Sequence, residues 1–184
     1  TAINTQDIKE IEKIYQEVLV DANLKLRSDK YTYFDLNNVG DSALRSVMTE
    51  TLFKAREHQI DLTFEVKEPV ETLPIKLLDV VRMASILLNN AVEGAIESYE
   101  KMIHVTLVQL DTEIIFVVKN SRKQRKLDLE EIYEPEFSTK GYRRGLGLNN
   151  LKEILENYKY IMLDTEISKY DFTQVLTIKR RNSL

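Results

Sequence analysis

LLNNAVEGA, Leu87–Ala95, reads as the apolar middle of a helix interrupted by two adjacent amides, Asn89 and Asn90. Neighbouring helical residues are turned by about 100°, so only one of the two can face a ligand. An amide oxygen can hold a hard cation, and a polar group in an apolar helix needs a partner. The plainer alternative is that Asn90 satisfies a backbone group, since Asn is a poor helix former. Glu93, three residues on and on roughly the same face, could add charge near a metal.

FSTKGYRRGLGLNNLKEI, Phe137–Ile154, is a glycine-bearing loop opening into an amphipathic helix. Gly145 and Gly147 bracket Leu146, and Leu148 follows. A Gly-x-Gly turn lets backbone approach closely and exposes N–H groups where the helix dipole favours phosphate. Leu146 and Leu148 are expected to anchor the turn in the core. Lys140, Arg143 and Arg144 stand just upstream and can neutralise phosphate charge, though a solvated charge run is the plainer reading of such a cluster. Taken together, the two segments describe a site for a nucleotide with magnesium.

Around these segments the chain carries clear runs of helical and strand pattern, without strict alternation. Thr5 to Arg27 carries one apolar stripe, Ile8, Ile11, Val18, Leu19 and Leu26 among it, and predicts an amphipathic helix. Asp29 to Asp41 is polar and reads as a connection. Asp41 or Ser42 caps a helix running to His58, and Ile60–Val66 alternates as a strand. Pro74 to Tyr99 predicts a long buried helix, apolar on more than one side from Leu77 and Leu78 onward. MIHVTLVQL and EIIFVVKN form a hairpin through Asp111-Thr112. Ser121 to Arg144 is a long charged loop, a kind that is usually functional. Leu146 to Tyr158 is helical, and two strands close the chain. These runs predict an α+β fold: a two-layer α/β sandwich with helices on one face of a mixed, mostly antiparallel sheet, preceded by an N-terminal helical segment.

Composition narrows the function. The 184 residues carry 43% hydrophobic residues, enough for a real core, and a net charge of -4, which argues against nucleic acid as a partner. With no cysteine, thiolate chemistry is excluded. His58 and His104 are the two histidines, and neither has a partner at metal-ligand or triad spacing. Asn120 ends an apolar strand, where it either forms a turn or reads adenine through its amide.

The order LLNNAVEGA, VVKN, IYEPEFSTKG, RRGLGLNNLKEI resembles the N, first glycine, F and second glycine boxes of sensor histidine kinases. Their catalytic ATP-binding domain shares its fold with gyrase and with chaperone and mismatch-repair ATPases. The resemblance covers about Asp41 to Arg180. It implies Asn90 as the Mg2+ ligand, Asn120 as the adenine contact, and Phe137–Lys140, Thr139 included, as the F box. It implies Gly145, Leu146, Gly147 and Leu148 as the phosphate cradle and Ser121–Arg144 as a lid. Two departures stand out. Asn120-Ser121-Arg122-Lys123-Gln124 occupies the place of the usual Asp-x-Gly-x-Gly. Ile86 lies four residues before Asn90, where the ATPase relatives place the carboxylate that activates water.

These features resemble the peptide-pheromone receptor kinases of Gram-positive bacteria, the competence-peptide receptors in particular. The resemblance implies a quorum-sensing, two-component protein histidine kinase. It would bind Mg-ATP, transfer the γ-phosphoryl to a histidine outside this chain, and pass it to an aspartate of a response regulator. It implies a cytoplasmic domain of a cell-membrane protein, tied to the membrane only through segments absent here. Residues 1–40 would be the second helix and linker of a dimerisation hairpin, pairing two copies, and 41–184 the catalytic domain. The alternatives are a non-catalytic interaction module that has lost ATP, and a gyrase-type ATPase.

Overall fold

The computed structural model describes residues 36–71, 73–124 and 146–180. The helix expected at Thr5–Arg27 therefore lies outside the described residues, as does most of the charged loop. A short 3-10 turn, Leu36–Asn38, leads into Val39, which is buried and bridges Val70. Gly40 N–H donates to Val70 O at 2.7 Å, so this part of the connection is anchored to the domain that follows.

Helix α1 spans Ser42–Glu57. Asp41 caps it: Oδ1 accepts from Ala43 N at 3.0 Å and Leu44 N at 3.1 Å, satisfying two donors that the first turn cannot pair. Leu44, Val47, Met48, Thr51, Leu52 and Ala55 are buried, the stripe that the periodicity predicts. Just past the C-cap His58, Gln59 takes a left-handed φ of 56°, with Ile60 N–H closing onto Ala55 O at 2.8 Å. Strand β1, Asp61–Glu65, follows.

Helix α2 spans Leu77–Glu97, starting three residues after Pro74. Its middle is buried at Met83, Ala84, Leu87, Leu88, Ala91, Val92 and Ala95. Leu77 and Leu78, expected inside, are 65% and 58% exposed, whereas Val80 of the same turn is buried, so the first turn has one solvent-facing side. Strands β2 (Met102–Gln109) and β3 (Glu113–Ser121) form the expected hairpin, with Leu110 N–H donating to Glu113 O at 2.8 Å. Helix α3 spans Leu146–Leu155, one turn shorter than the sequence suggests: a tighter turn carries Tyr158 N–H onto Leu155 O. Strands β4 (Ile161–Ile167) and β5 (Asp171–Lys179) close the fold.

The sheet order is β1-β2-β3-β5-β4, with β1 and β2 parallel and the other neighbours antiparallel. Alternate residues of the central strands are buried on one face: Ile103, Val105 and Leu107 of β2, Ile114, Phe116 and Val118 of β3, Leu176 and Ile178 of β5. They form one core with the buried sides of α1, α2 and α3. The predicted α+β sandwich, mostly antiparallel with its helices on one face, is the architecture found.

Candidate functional site

The helical twist separates the two adjacent amides of α2. Asn89 Oδ1 accepts from Lys54 Nζ of α1 at 2.8 Å, and Lys54 also pairs with Glu50 at 2.6 Å. Asn89 is thus a strut between α1 and α2. One residue on, Asn90 is half-buried and turned toward the start of α3: a β-carbon on Gly147 would lie 3.7 Å from Asn90 Oδ1 and 3.6 Å from Ile86 Cγ2. The expected amide and the expected glycine therefore meet across the α2–α3 contact.

Asn90 makes no hydrogen bond to another described residue, so its oxygen is available to a cation or a donor. Among the described residues no three His, Asp or Glu side chains converge as a metal cluster. Asn90 thus offers a neutral amide oxygen beside a helix N-terminus. That suits Mg2+, which binds through few protein ligands and takes the rest from water and substrate phosphate. The first N–H groups of α3 have no partner within the helix, and the dipole adds positive potential there. Glu93 is half-buried and already holds an interaction of its own.

Asn120 lies deeper. It is buried at the end of β3, and its Nδ2 donates to Ser121 O at 2.8 Å. Gly94 of α2 rests on it: a β-carbon at 94 would stand 2.5 Å from Nδ2. One amide hydrogen is thus spent locally, leaving the second hydrogen and the oxygen for other contacts. Behind it Ser121 Oγ and Ser98 Oγ share a hydrogen bond of 2.7 Å, and Met102 N–H donates to Ser121 Oγ at 2.8 Å. Those hydroxyls lock the end of α2 to the β2–β3 ends and hold Asn120 in place.

Leu148 is half-buried and packs against the core, an anchor for the turn. Leu146 opens α3. Thr139, Lys140, Arg143, Arg144 and Gly145 lie outside the described residues. Of the histidines, His104 Nε2 lies 3.3 Å from Glu65 Oε2 on the exposed sheet face, and His58 caps α1. Glu65 also pairs with Lys67 at 2.7 Å, and that hydrogen bond, then the one from His104, holds its carboxyl below the usual range.

Three residues escaped the sequence reading. Lys54 carries no local signal, because its partner is on another helix. Gly94 did carry one: a glycine inside a helix costs about 1 kcal/mol relative to Ala, and a close approach explains it. Gln174 of β5 is buried with its Nε2 unpaired.

Residues 75–179 match the sequence pattern of the GHKL domain family (HATPase_c_5), more than half of the chain. The chain belongs to the GHKL domain family. The sensor protein CitS of Bacillus subtilis (strain 168) is 24% identical to this GHKL chain over 120 residues, 64% of the chain and 22% of CitS. The chain thus spans 22% of the length of that curated relative. Among solved structures, the nucleotide-free catalytic domain of histidine kinase ThkA superposes with a TM-score of 0.63 at 25% identity, covering 82% of this chain and 96% of that one. Histidine kinase AdeS of Acinetobacter baumannii superposes with a TM-score of 0.60, covering 95% of this chain and 82% of its own, and at 11% identity it supports the fold alone. The described residues are a GHKL domain of the histidine-kinase type. Among them, no helix is long and apolar enough to cross a membrane.

Proposed function

We propose that this chain is the catalytic part of a sensor histidine kinase: it binds Mg-ATP and presents the γ-phosphoryl group to a histidine outside the chain. The single observation that carries the reading is the placement of Asn90 Oδ1 against Gly147 at the N-terminus of α3. A cation ligand and a set of phosphate-binding N–H groups stand side by side, as a metal–phosphate ligand needs.

Catalysis of phosphoryl transfer is mostly positioning and electrostatic stabilisation. A bound magnesium ion supplies charge neutralisation on the phosphate oxygens. The amide of Asn90 orients that charge, the α3 N–H groups hold the phosphate oxygens, and Lys140 with Arg143 or Arg144 adds positive charge. Asn120 serves the base end, and Thr139 belongs to the F box that the resemblance implies beneath the lid. Ile86 is half-buried four residues before Asn90 and offers no base to activate water, which favours transfer to a protein acceptor over hydrolysis.

The finer reading, a peptide-pheromone receptor of a quorum-sensing system that works as a homodimer with a response regulator at the cytoplasmic face of the membrane, is supported by the sequence resemblance. The non-catalytic alternative is favoured by one observation: an amide, Asn120, stands where relatives carry a carboxylate, and one of its donors is committed to Ser121 O.

Calorimetric titration with a non-hydrolysable ATP analogue, with and without magnesium, tests the proposal. Magnesium-dependent binding that is lost in Asn90→Ala supports the kinase reading. No binding to the wild-type chain at millimolar analogue leaves the interaction module.

A further inference from the structure

We propose that Gln174 is a base-reading residue of the nucleotide site, working beside Asn120. The inference rests on the ATP reading above and extends it to a residue that neither the motifs nor the family boundaries single out.

Gln174 lies in β5, opposite Val118 of β3 and Thr165 of β4. Side chains alternate across a strand, so it shares its face with Leu176 and Ile178, which are buried against the helices. An apolar side chain would serve that face equally well. Instead an amide is 1% exposed, with Nε2 lacking any hydrogen-bond partner. Buried polar groups are nearly always paired, and a buried amide without a partner opposes folding unless something else uses it.

Its position suggests the user. Asn120 pairs in register with Phe172, two residues before Gln174. The two amides are therefore diagonal neighbours on the helix-facing side of adjacent strands, at the about 7–8 Å spacing usual for such pairs. Asn120 in turn lies under Gly94 of α2, one turn beyond Asn90. Metal ligand, strand-end amide and Gln174 thus follow one another from the α2–α3 contact down to the β3–β5 floor. A purine edge carries ring-nitrogen acceptors beside an exocyclic donor, and an unpaired amide N–H complements a ring nitrogen. Asn120 has one Nδ2 hydrogen committed to Ser121 O, and the unpaired Nε2 of Gln174 adds a further donor on the same face.

The test compares wild type with Gln174→Leu. Three readouts are taken: melting temperature without ligand, affinity for the non-hydrolysable ATP analogue with magnesium, and competition by inorganic triphosphate, which has no base. The expected result is an unchanged or raised melting temperature, about ten-fold weaker analogue binding, and equal competition by triphosphate. In wild type, the side-chain amide signals of Gln174 in a 15N spectrum should shift on adding the analogue. Analogue binding by Gln174→Leu within two-fold of wild type, with unmoved amide signals, overturns the inference and leaves the kinase reading intact. A large drop in melting temperature would make the amide structural and also overturns it. If the leucine variant does not fold, Gln174→Glu and the wild-type spectrum decide. Failure of wild type to bind the analogue at all overturns both readings together.

Discussion

Gly94 of helix α2 lies directly against the side chain of Asn120 on β3: a β-carbon at position 94 would stand 2.5 Å from Asn120 Nδ2 and 3.4 Å from its Cγ. The strand-end amide is held where it is because the helix has no side chain there. Gly94→Ala should therefore destabilise the domain by about 1–3 kcal/mol, the overpacking cost exceeding the roughly 1 kcal/mol gain in helix propensity. Urea denaturation reads the first effect and analogue titration a parallel loss of affinity. A stabilised variant would mean that Asn120 moves aside freely.

Gly147→Ala should behave in the opposite way. Its β-carbon would meet Ile86 and Asn90 at ordinary contact distances of 3.6 and 3.7 Å. Stability should stay within about 0.5 kcal/mol of wild type. Nucleotide affinity should fall, since the added methyl borders Asn90 Oδ1 and limits the approach of phosphate to the backbone. Unchanged affinity in calorimetry would remove this glycine from the phosphate cradle.

Lys54→Met removes both the hydrogen bond to Asn89 and the pair with Glu50. The lysine side chain is 37% exposed, so the expected loss is about 0.5–1 kcal/mol. Analogue binding should be unaffected because Asn89 faces α1 rather than the site. Asn90→Ala should show the mirror image, with stability kept and magnesium-dependent binding lost. A Lys54→Met variant that loses nucleotide would show that Asn89 and Asn90 act together.

Tyr158 O–H donates to Asp79 Oδ2 at 2.5 Å and joins the end of α3 to the first turn of α2. Burial first, and then this hydrogen bond, holds the phenol above its ordinary pKa of 10.0. The folded state keeps the proton more tightly than the unfolded state does. The stabilisation is therefore complete below pH 10.0 and declines as pH rises from there toward the folded value. Tyr158→Phe should lose about 1 kcal/mol at neutral pH and show a flatter alkaline decline in urea midpoint. An identical decline in both proteins would exclude Tyr158 as its source.

Local patterns made much of this domain legible. The period of Leu44, Val47, Met48, Thr51, Leu52 and Ala55 is visible in the sequence because one helical face repeats every three or four residues, and that face is buried in the structure. The hairpin around Asp111-Thr112 reads equally well because alternation and turn chemistry are both local. The same logic misplaced Leu77 and Leu78, whose burial depends on which side of the first turn meets the rest of the fold. Lys54 and Gln174 were invisible for the same reason: their importance comes from neighbours thirty-five residues away or on another strand.

By itself the sequence determined the order of helices and strands, and a cap for α1 at Asp41 or Ser42. It also established that Asn89 and Asn90 must face different ways, since the turn per residue is a property of any α-helix. Only the tertiary structure decided which of them faces α1 and which faces Gly147, because that angle is set by the packing of α2 on its neighbours. The burial of Asn120 under Gly94 and the unpaired amide of Gln174 were decided there too. Long-range pairing of β3 with β5 brings those side chains onto one face, and no local pattern encodes which strands become neighbours.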